Sequence, residues 1–308
     1  MKKRWNGEAA RAFVENLCRW GRSGNRHEVS ESPFGKVKET SRLDLRGLVL
    51  PEQTEWRRIT IRSADLSGAV LRHAWFESSI FDDVLFDNCS LQILSEGGGN
   101  FENCRFRNTN FRGAVVGYRG SRFKKCQFEQ ADFIQAGFIR PEFDDCLFDS
   151  CTFSGVDFKA SSFERCEFRS ELRGVWFHGS YELSPVIEQF ANPRPNKMKS
   201  VSFKNARLID VDFSDGCDLS SIIPPDDGRH AVFDRWPVRI RSVFEQSRAW
   251  PEPLKREGEG FCKIFEAQPY KDGTYPAEQD WYLIGEDALT NLFGKEAGKK
   301  LWDALLCT

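Results

Sequence analysis

The hydrophobic pattern of this chain has a period that belongs to neither a helix nor a strand. Phenylalanine stands at every fifth position from Phe123 to Phe168: Phe123, Phe128, Phe133, Phe138, Phe143, Phe148, Phe153, Phe158, Phe163 and Phe168. A helix would repeat every 3.6 residues and a strand every 2. A repeat this short predicts a solenoid whose coils stack one on another. The same count runs through Ile61, Leu66, Leu71, Phe76, Phe81, Phe86 and Leu91, then through Phe101, Phe106, Phe111 and Val116. Phe203, Leu208 and Phe213 resume it, and Leu219 follows one residue late. It reads as interrupted at 92–100, which contains LSEGGGN, at 117–120, where two extra residues precede Phe123, and over 171–200.

A second inward position lies two residues before each large one. It holds Ala64, Ala69, Ala74, Val84, Ala131, Ala136, Val156 and Ser161, and also Cys89, Cys104, Cys126, Cys146, Cys151, Cys166 and Cys217. Two residues in five therefore face inward, one large and one small, and three face water. Cys126, Cys146 and Cys166 recur every 20 residues, which makes each coil four-sided. Cys104 joins their column if the two extra residues are looped out. About 26 inward positions predict roughly 6.5 coils and a rod roughly 31 Å long at the strand spacing.

The ends are different in kind. Residues 1–21 predict one short helix, capped by Asn6, with Ala10, Phe13, Val14 and Leu17 on one face. Residues 22–40 read as a polar linker. The repeat domain spans 41–222. Residues 223–308 have no five-residue period and predict a small α+β or mostly helical domain. Within it Pro237 opens a helix through Ile240, Val243, Phe244 and Trp250. FCKIFEA (261–267) alternates like a strand, and Asp287 to Leu306 reads as helical.

Composition sharpens this in three places. Formal net charge is -2, so no direct nucleic-acid binding is expected. The first 40 residues carry 9 Lys+Arg against 5 Asp+Glu, a basic arm. Seven of the ten cysteines fit small core positions of the repeat rather than a disulfide framework, so free thiols and a cytoplasmic location are expected. No apolar run is long enough for a membrane helix, and no signal peptide is read.

The stretches ADLSG (64–68), ADFIQ (131–135), VDFKA (156–160) and VDFSD (211–215) resemble the A(D/N)Lxx pattern of the pentapeptide-repeat family. The resemblance covers about 175 residues, from 45 to 219. It implies an all-β solenoid, a right-handed four-sided β-helix with about 20 residues per coil. The family's best understood members protect topoisomerases. Their acidic dimeric rods imitate duplex DNA.

Candidate chemistry is sparse. His27, His73, His178 and His230 are the only histidines, and none has metal-ligand spacing with a cysteine or another histidine. His178 lies in the interrupted 171–200 segment and reads as either a site residue or a structural loop histidine without a partner. No phosphate-binding glycine loop occurs. No catalytic residue, metal or cofactor is expected. Three surface features remain. From His73 to Cys104 there is no Lys or Arg, while Glu77, Asp82, Asp83, Asp87, Glu96 and Glu102 are present, an acidic stripe. The 171–200 segment carries Trp176, Tyr181, Arg194, Lys197 and Lys199, and long loops in a compact repeat are often functional. The third is the C-terminal domain, either a cap or a recognition module. The partner-binding candidates are Glu77, Asp82, Asp83, Asp87, Trp176, Tyr181, Arg194, Lys197 and Lys199. The expected function is a non-enzymatic protein-interaction scaffold. The alternative is a DNA-mimicking gyrase or topoisomerase modulator. Residues 41–220 hold 26 acids and 23 bases, weak charge for a polyanion mimic. Exposed coil ends also suggest homodimerisation through an end.

Overall fold

The computed structural model describes residues 2–180, 198–266 and 279–308. Eighteen strands form one continuous sheet wound into a rod, with every pairing between its strands parallel. Successive coils pair at a register of 20 residues: Phe123 faces Phe143, and Phe143 faces Phe163. Four inward ladders result. The first holds Trp56, Phe76, Glu96, Val116, Phe138, Phe158, Phe177 and Phe213. The second holds Ile61, Phe81, Phe101, Phe123, Phe143 and Phe163. The third holds Phe86, Phe106, Phe128, Phe148, Phe168 and Phe203. Phe111, Phe133, Phe153, Leu172 and Leu208 make the fourth.

The five-residue unit has a physical logic at each place. The large residue stacks on its equivalent one coil away. Phe128 and Phe148 have ring centroids 4.9 Å apart and planes 4° apart. The small residue two places earlier fills the corner, and several of those with a polar hydrogen donate it to a main-chain carbonyl of the preceding coil. Cys146 Sγ donates to the Phe123 carbonyl at 3.3 Å, Ser79 Oγ to that of Trp56 at 2.8 Å. The residue two places after the large one turns many of the corners with positive φ: Asp83, Asn88, Asn103, Asn108, Lys125 and Asp145. Asn and Asp tolerate that region best among residues with a Cβ.

The ten cysteines are all free, eight of them buried. The Cys126–Cys146–Cys166 column is present, and Cys104 extends it: Sγ of Cys126 lies against the Phe101 carbonyl as Cys104 does against that of Phe81.

Several sequence expectations are corrected. The 92–100 stretch does not interrupt the rod. Ser95–Gly97 and Asn100–Glu102 are strands, and the five-residue count passes straight through Glu96. The 171–200 stretch likewise begins inside the rod, as one strand from Glu167 to His178 with Leu172 and Phe177 buried. One residue is missing between Phe168 and Leu172, which hid the register. His27–Val29, within the expected linker, pairs with Ile59–Ile61. The N-terminal helix, α1 (Glu8–Ser23), is capped by Gly7, not Asn6, which ends a preceding 3-10 turn.

Both ends of the rod are covered. The α1 helix lies on the first coil so closely that a Cβ on Gly21 would sit 1.8 Å from the Glu55 carbonyl oxygen. At the other end a two-stranded antiparallel sheet, His230–Phe233 with Tyr282–Gly285, joins four helices: α2 (Trp236–Ser247), α3 (Leu254–Phe265), α4 (Glu286–Phe293) and α5 (Lys295–Leu306). FCKIFEA, expected as a strand, lies in α3 up to Phe265. Leu254, Gly258, Phe261 and Cys262 are buried at helical spacing, a pattern longer than the window that suggested alternation. Gly294 (φ 82°) splits the expected last helix into α4 and α5. Gly298 lets them touch, since a Cβ there would lie 2.4 Å from Thr290 Cα.

Candidate functional site

The rod sorts the candidate residues onto separate faces. Glu77 and Trp176 flank the first ladder, Asp82 and Lys199 the second, and Asp87 the third. Asp83 sits at a corner. Tyr181, Arg194 and Lys197 lie outside the described residues. The acidic stripe is therefore not one surface, and its charges are largely met by bases. Glu77 pairs with Arg57 at 3.3 Å and with Arg119 at 2.5 Å. Asp83 pairs with Arg42 and accepts from Ser63 Oγ at 3.0 Å. Asp87 is buried and takes Arg105 at 2.6 Å and Arg107 at 3.0 Å. Glu102 pairs with Lys124 at 3.2 Å, and Asp82 accepts from Asn103 at 3.3 Å. These bases lie outside the stripe in sequence, Arg42 and Arg57 before it and Arg105, Arg107, Arg119 and Lys124 after it, and the coils fold them onto it, which a linear reading of charge cannot register.

The first face carries the apolar surface. One outward row runs Glu55, Trp75, Ser95, Val115, Gly137, Asp157, Trp176 and Asp212. Trp75, Val115 and Trp176 in this row are 37%, 39% and 41% exposed. Five coil steps separate the two tryptophans, about 24 Å at the strand spacing. Beside Trp75 is a groove of about 520 Å³ lined by Gln53, Glu55, His73, Trp75, Ser95, Val115 and Tyr118, with Glu96 at its base. The guanidinium of Arg57 lies 5.1 Å from the Trp75 ring and that of Arg119 lies 5.7 Å from the Tyr118 ring. Glu77 bridges both arginines and so ties the two aromatic walls together. Sequence reasoning found Trp176 but not Trp75. The signal was available: each tryptophan stands one place before a ladder phenylalanine, an outward position in the repeat.

Glu96 was read as part of the stripe but points inward. It occupies a ladder position between Phe76 and Val116 and is 2% exposed. Its Oε1 accepts from the Gly99 N–H and from Ser121 Oγ, both at 2.9 Å, and its Oε2 from the Gly117 N–H at 3.0 Å. The two inserted residues explain this. They shift the register between Val115 and Tyr118, and the carboxylate accepts from the Gly117 amide inside the bulge, while the Gly99 amide one coil earlier is shared with Ser121 Oγ at 3.2 Å. Burial raises its pKa from the usual 4.5 to about 7, against the opposing bonds from Ser121, Gly117 and Gly99.

His178 is also corrected. It ends a rod strand, is buried, and its Nδ1 lies 2.9 Å from Asp215 Oδ2 and 2.8 Å from Ser214 Oγ. The ring has Ser214 and Asp215 on Nδ1 and faces Asp157 Oδ1 with Nε2 at 3.6 Å. It joins neighbouring coils. Among the described residues there is no group of three or more His, Cys, Asp or Glu side chains that could hold a metal, and no helix is long and apolar enough to cross a membrane.

No protein-family profile matches the chain, and no curated protein matches it in sequence. Among solved structures it is similar to full-length QnrB1, a plasmid-mediated fluoroquinolone resistance protein, at 15% identity, over 61% of this chain and 93% of that one, with a TM-score of 0.24. It is similar to a trypsin-treated form of QnrB1 at 15% identity, over 65% and 88%, with a TM-score of 0.21. It is similar to HetL, a pentapeptide-repeat protein involved in heterocyst differentiation regulation in the cyanobacterium Nostoc sp. strain PCC 7120, at 14% identity, over 58% and 90%, with a TM-score of 0.22. Superpositions this loose carry no inference about role. The five-residue period, the 20-residue register and the four ladders of stacked side chains identify the rod itself as a pentapeptide-repeat β-helix.

Proposed function

We propose that this protein is a non-enzymatic interaction scaffold that binds a protein partner along the first face of its rod. The observation that carries this reading is the row of exposed Trp75, Val115 and Trp176 on a surface whose charges are mostly paired within the molecule. Tryptophans are favoured anchors of protein interfaces, and arginine stacked on an aromatic is a frequent companion. A face of fixed spacing about 24 Å long between the anchors suits a partner that presents two apolar patches at that distance. The internal pairing of Glu77, Asp83, Asp87 and Glu102 leaves less net negative potential than a DNA mimic requires, so the topoisomerase reading ranks second.

The test is capture of partners by the tagged full-length chain from its native host, comparing wild type with the Trp75→Ala, Trp176→Ala double variant. The reading expects wild-type partners to be lost from a variant whose melting temperature is unchanged. Retention of every wild-type partner overturns it. Recovery of gyrase or topoisomerase IV subunits that survive loss of both tryptophans makes the topoisomerase reading the leading one.

A further inference from the structure

We infer that Glu96 is a proton-operated positioning residue that sets the wall of the groove formed by Tyr118 and Arg119. The inference deepens the interaction-face reading, since that groove belongs to the same face, and it names a means of regulation.

The geometry carries it. Glu96 is the one carboxylate standing at a large inward position of the first ladder, and three donors converge on it. Two of them, the Gly117 N–H and Ser121 Oγ, bracket the segment that carries Tyr118 and Arg119. The third, the Gly99 N–H, closes the preceding coil's corner. The same segment also bonds the Gly120 N–H to the Gly117 carbonyl at 2.7 Å and pairs Tyr118 with Gly97. Its backbone leaves the regular register at Tyr118, Gly117 and Gly120 have φ of 92° and 80°, and Arg119 has 75°.

The two protonation states cannot make the same bonds. The ionised group accepts from all three donors. A proton on Oε2 sets an O–H against the Gly117 N–H, two donors facing each other. A proton on Oε1 reverses the Ser121 bond and leaves the serine hydroxyl without its acceptor. The ionised state keeps all three bonds but buries a charge, and burial outweighs them, so 117–121 opens more readily when Glu96 is ionised, and with it the Arg119–Glu77–Arg57 bridge across the groove.

Charged groups near Glu96 are few. Its interior neighbours Phe76, Leu94, Phe101, Val116 and Phe123 are apolar. Across the groove stand Glu55 and His73, and on the outer surface Glu77, Arg57 and Arg119. None of these contributes to the shift of Glu96, which arises from burial opposed by the three hydrogen bonds and leaves both protonation states populated near neutral pH. His73 is the histidine that lines the same groove, so it needs a control.

The test is hydrogen exchange of the full chain, read by NMR or by mass spectrometry of peptides covering 94–122, at pH 6 and pH 8. Protection factors are corrected for the intrinsic pH dependence and compared with those of the regular coils 140–170. The wild type is expected to lose roughly tenfold protection at Gly99 and Gly117 from pH 6 to pH 8, because opening hydrates the carboxylate and relieves the buried charge. Glu96→Gln is expected to remove the difference, and His73→Ala to keep it. Ser121→Ala, which retains the carboxylate but lacks one bond to the charged form, is expected to move the midpoint to higher pH. Equal wild-type protection at both pH values overturns the inference, as does a pH response that disappears with His73→Ala. No partner is involved, so this outcome is independent of the tryptophan variants. A positive exchange result with partners still bound after loss of both tryptophans would keep the switch and discard the face.

Discussion

The side chain of Gln279 pairs with the backbone of Cys217 as the next strand of the rod would. Its Oε1 accepts from the Cys217 N–H at 3.0 Å and from the Gly216 N–H at 3.1 Å, while its Nε2 donates to the Cys217 carbonyl at 2.8 Å. Beside it Leu283 enters the rod's core, Val232 and Trp281 pack against it, and Tyr282 donates to Asp212 at 2.6 Å. One amide thus closes the open edge of the last coil, the place where a solenoid is most exposed to pairing with another copy. Gln279→Ala is expected to destabilise the protein by about 1–3 kcal/mol and to promote end-to-end association. Thermal melting and sedimentation measure the two effects, and a variant that melts and sediments like wild type would show the amide to be dispensable.

Stability should fall as pH rises through neutrality, opposite to the usual behaviour of carboxylates. Glu96 is raised from 4.5 to about 7 in the folded chain by burial. Between those values the folded state holds a proton that the unfolded state has released. The stabilisation is therefore full below about pH 4.5 and is lost as pH approaches and passes 7. The size is about 3 kcal/mol if the whole shift is realised. Urea denaturation of wild type and Glu96→Gln at pH 5, 6, 7 and 8 checks this: the wild-type midpoint should decline across the series relative to the variant.

Phe148 stacks on Phe128 at 4.9 Å and on Phe168 at 4.7 Å and is fully buried. Phe148→Ala is expected to cost about 3–5 kcal/mol, the transfer loss plus a cavity that rigid neighbouring coils cannot fill. Phe148→Leu, which keeps most of the volume and matches Leu172 in the next ladder, should cost well under half of that. A difference of less than 1 kcal/mol between the two substitutions in chemical denaturation would contradict the rigid-ladder account.

The thiols offer a direct reading of how tightly the rod is closed. Burial pushes Cys89 and Cys151 up to about 12 and raises Cys126, Cys146 and Cys166 well above the ordinary thiol value. Cys307 is exposed and Cys18 half-buried. Native labelling with a thiol reagent at pH 8 should modify Cys307 quickly and Cys18 more slowly. The eight buried thiols should react only on unfolding. Rapid native labelling of Cys126 or Cys146 would mean that the coils open far more often than the packing implies.

How much of this was legible depended on what each feature answers to. The period of five was sufficient for the ladders of Phe123 to Phe168, because every repeat meets the same neighbours and local pattern and global packing agree. The four-sided coil followed from Cys126, Cys146 and Cys166 for the same reason. The reading failed where identity and position part company. Glu96 kept the count, but a carboxylate at a ladder position was taken for a loop residue. His178 kept its strand, but one missing residue hid it.

What the sequence alone determined was the rod: its period, its four sides, its free core cysteines and its helical ends, all consequences of which side chains leave water at a fixed spacing. What only the tertiary structure decided was which residues share a surface. Trp75 and Trp176 are 101 positions apart in the chain yet stand in one row, and the acids of the stripe find their bases one or two coils away. Such neighbours are set by the 20-residue register and by the few insertions that shift it. The inward-facing Glu96 is met by the Gly117 amide inside one of these insertions, a partner that only the stacked coils bring to it.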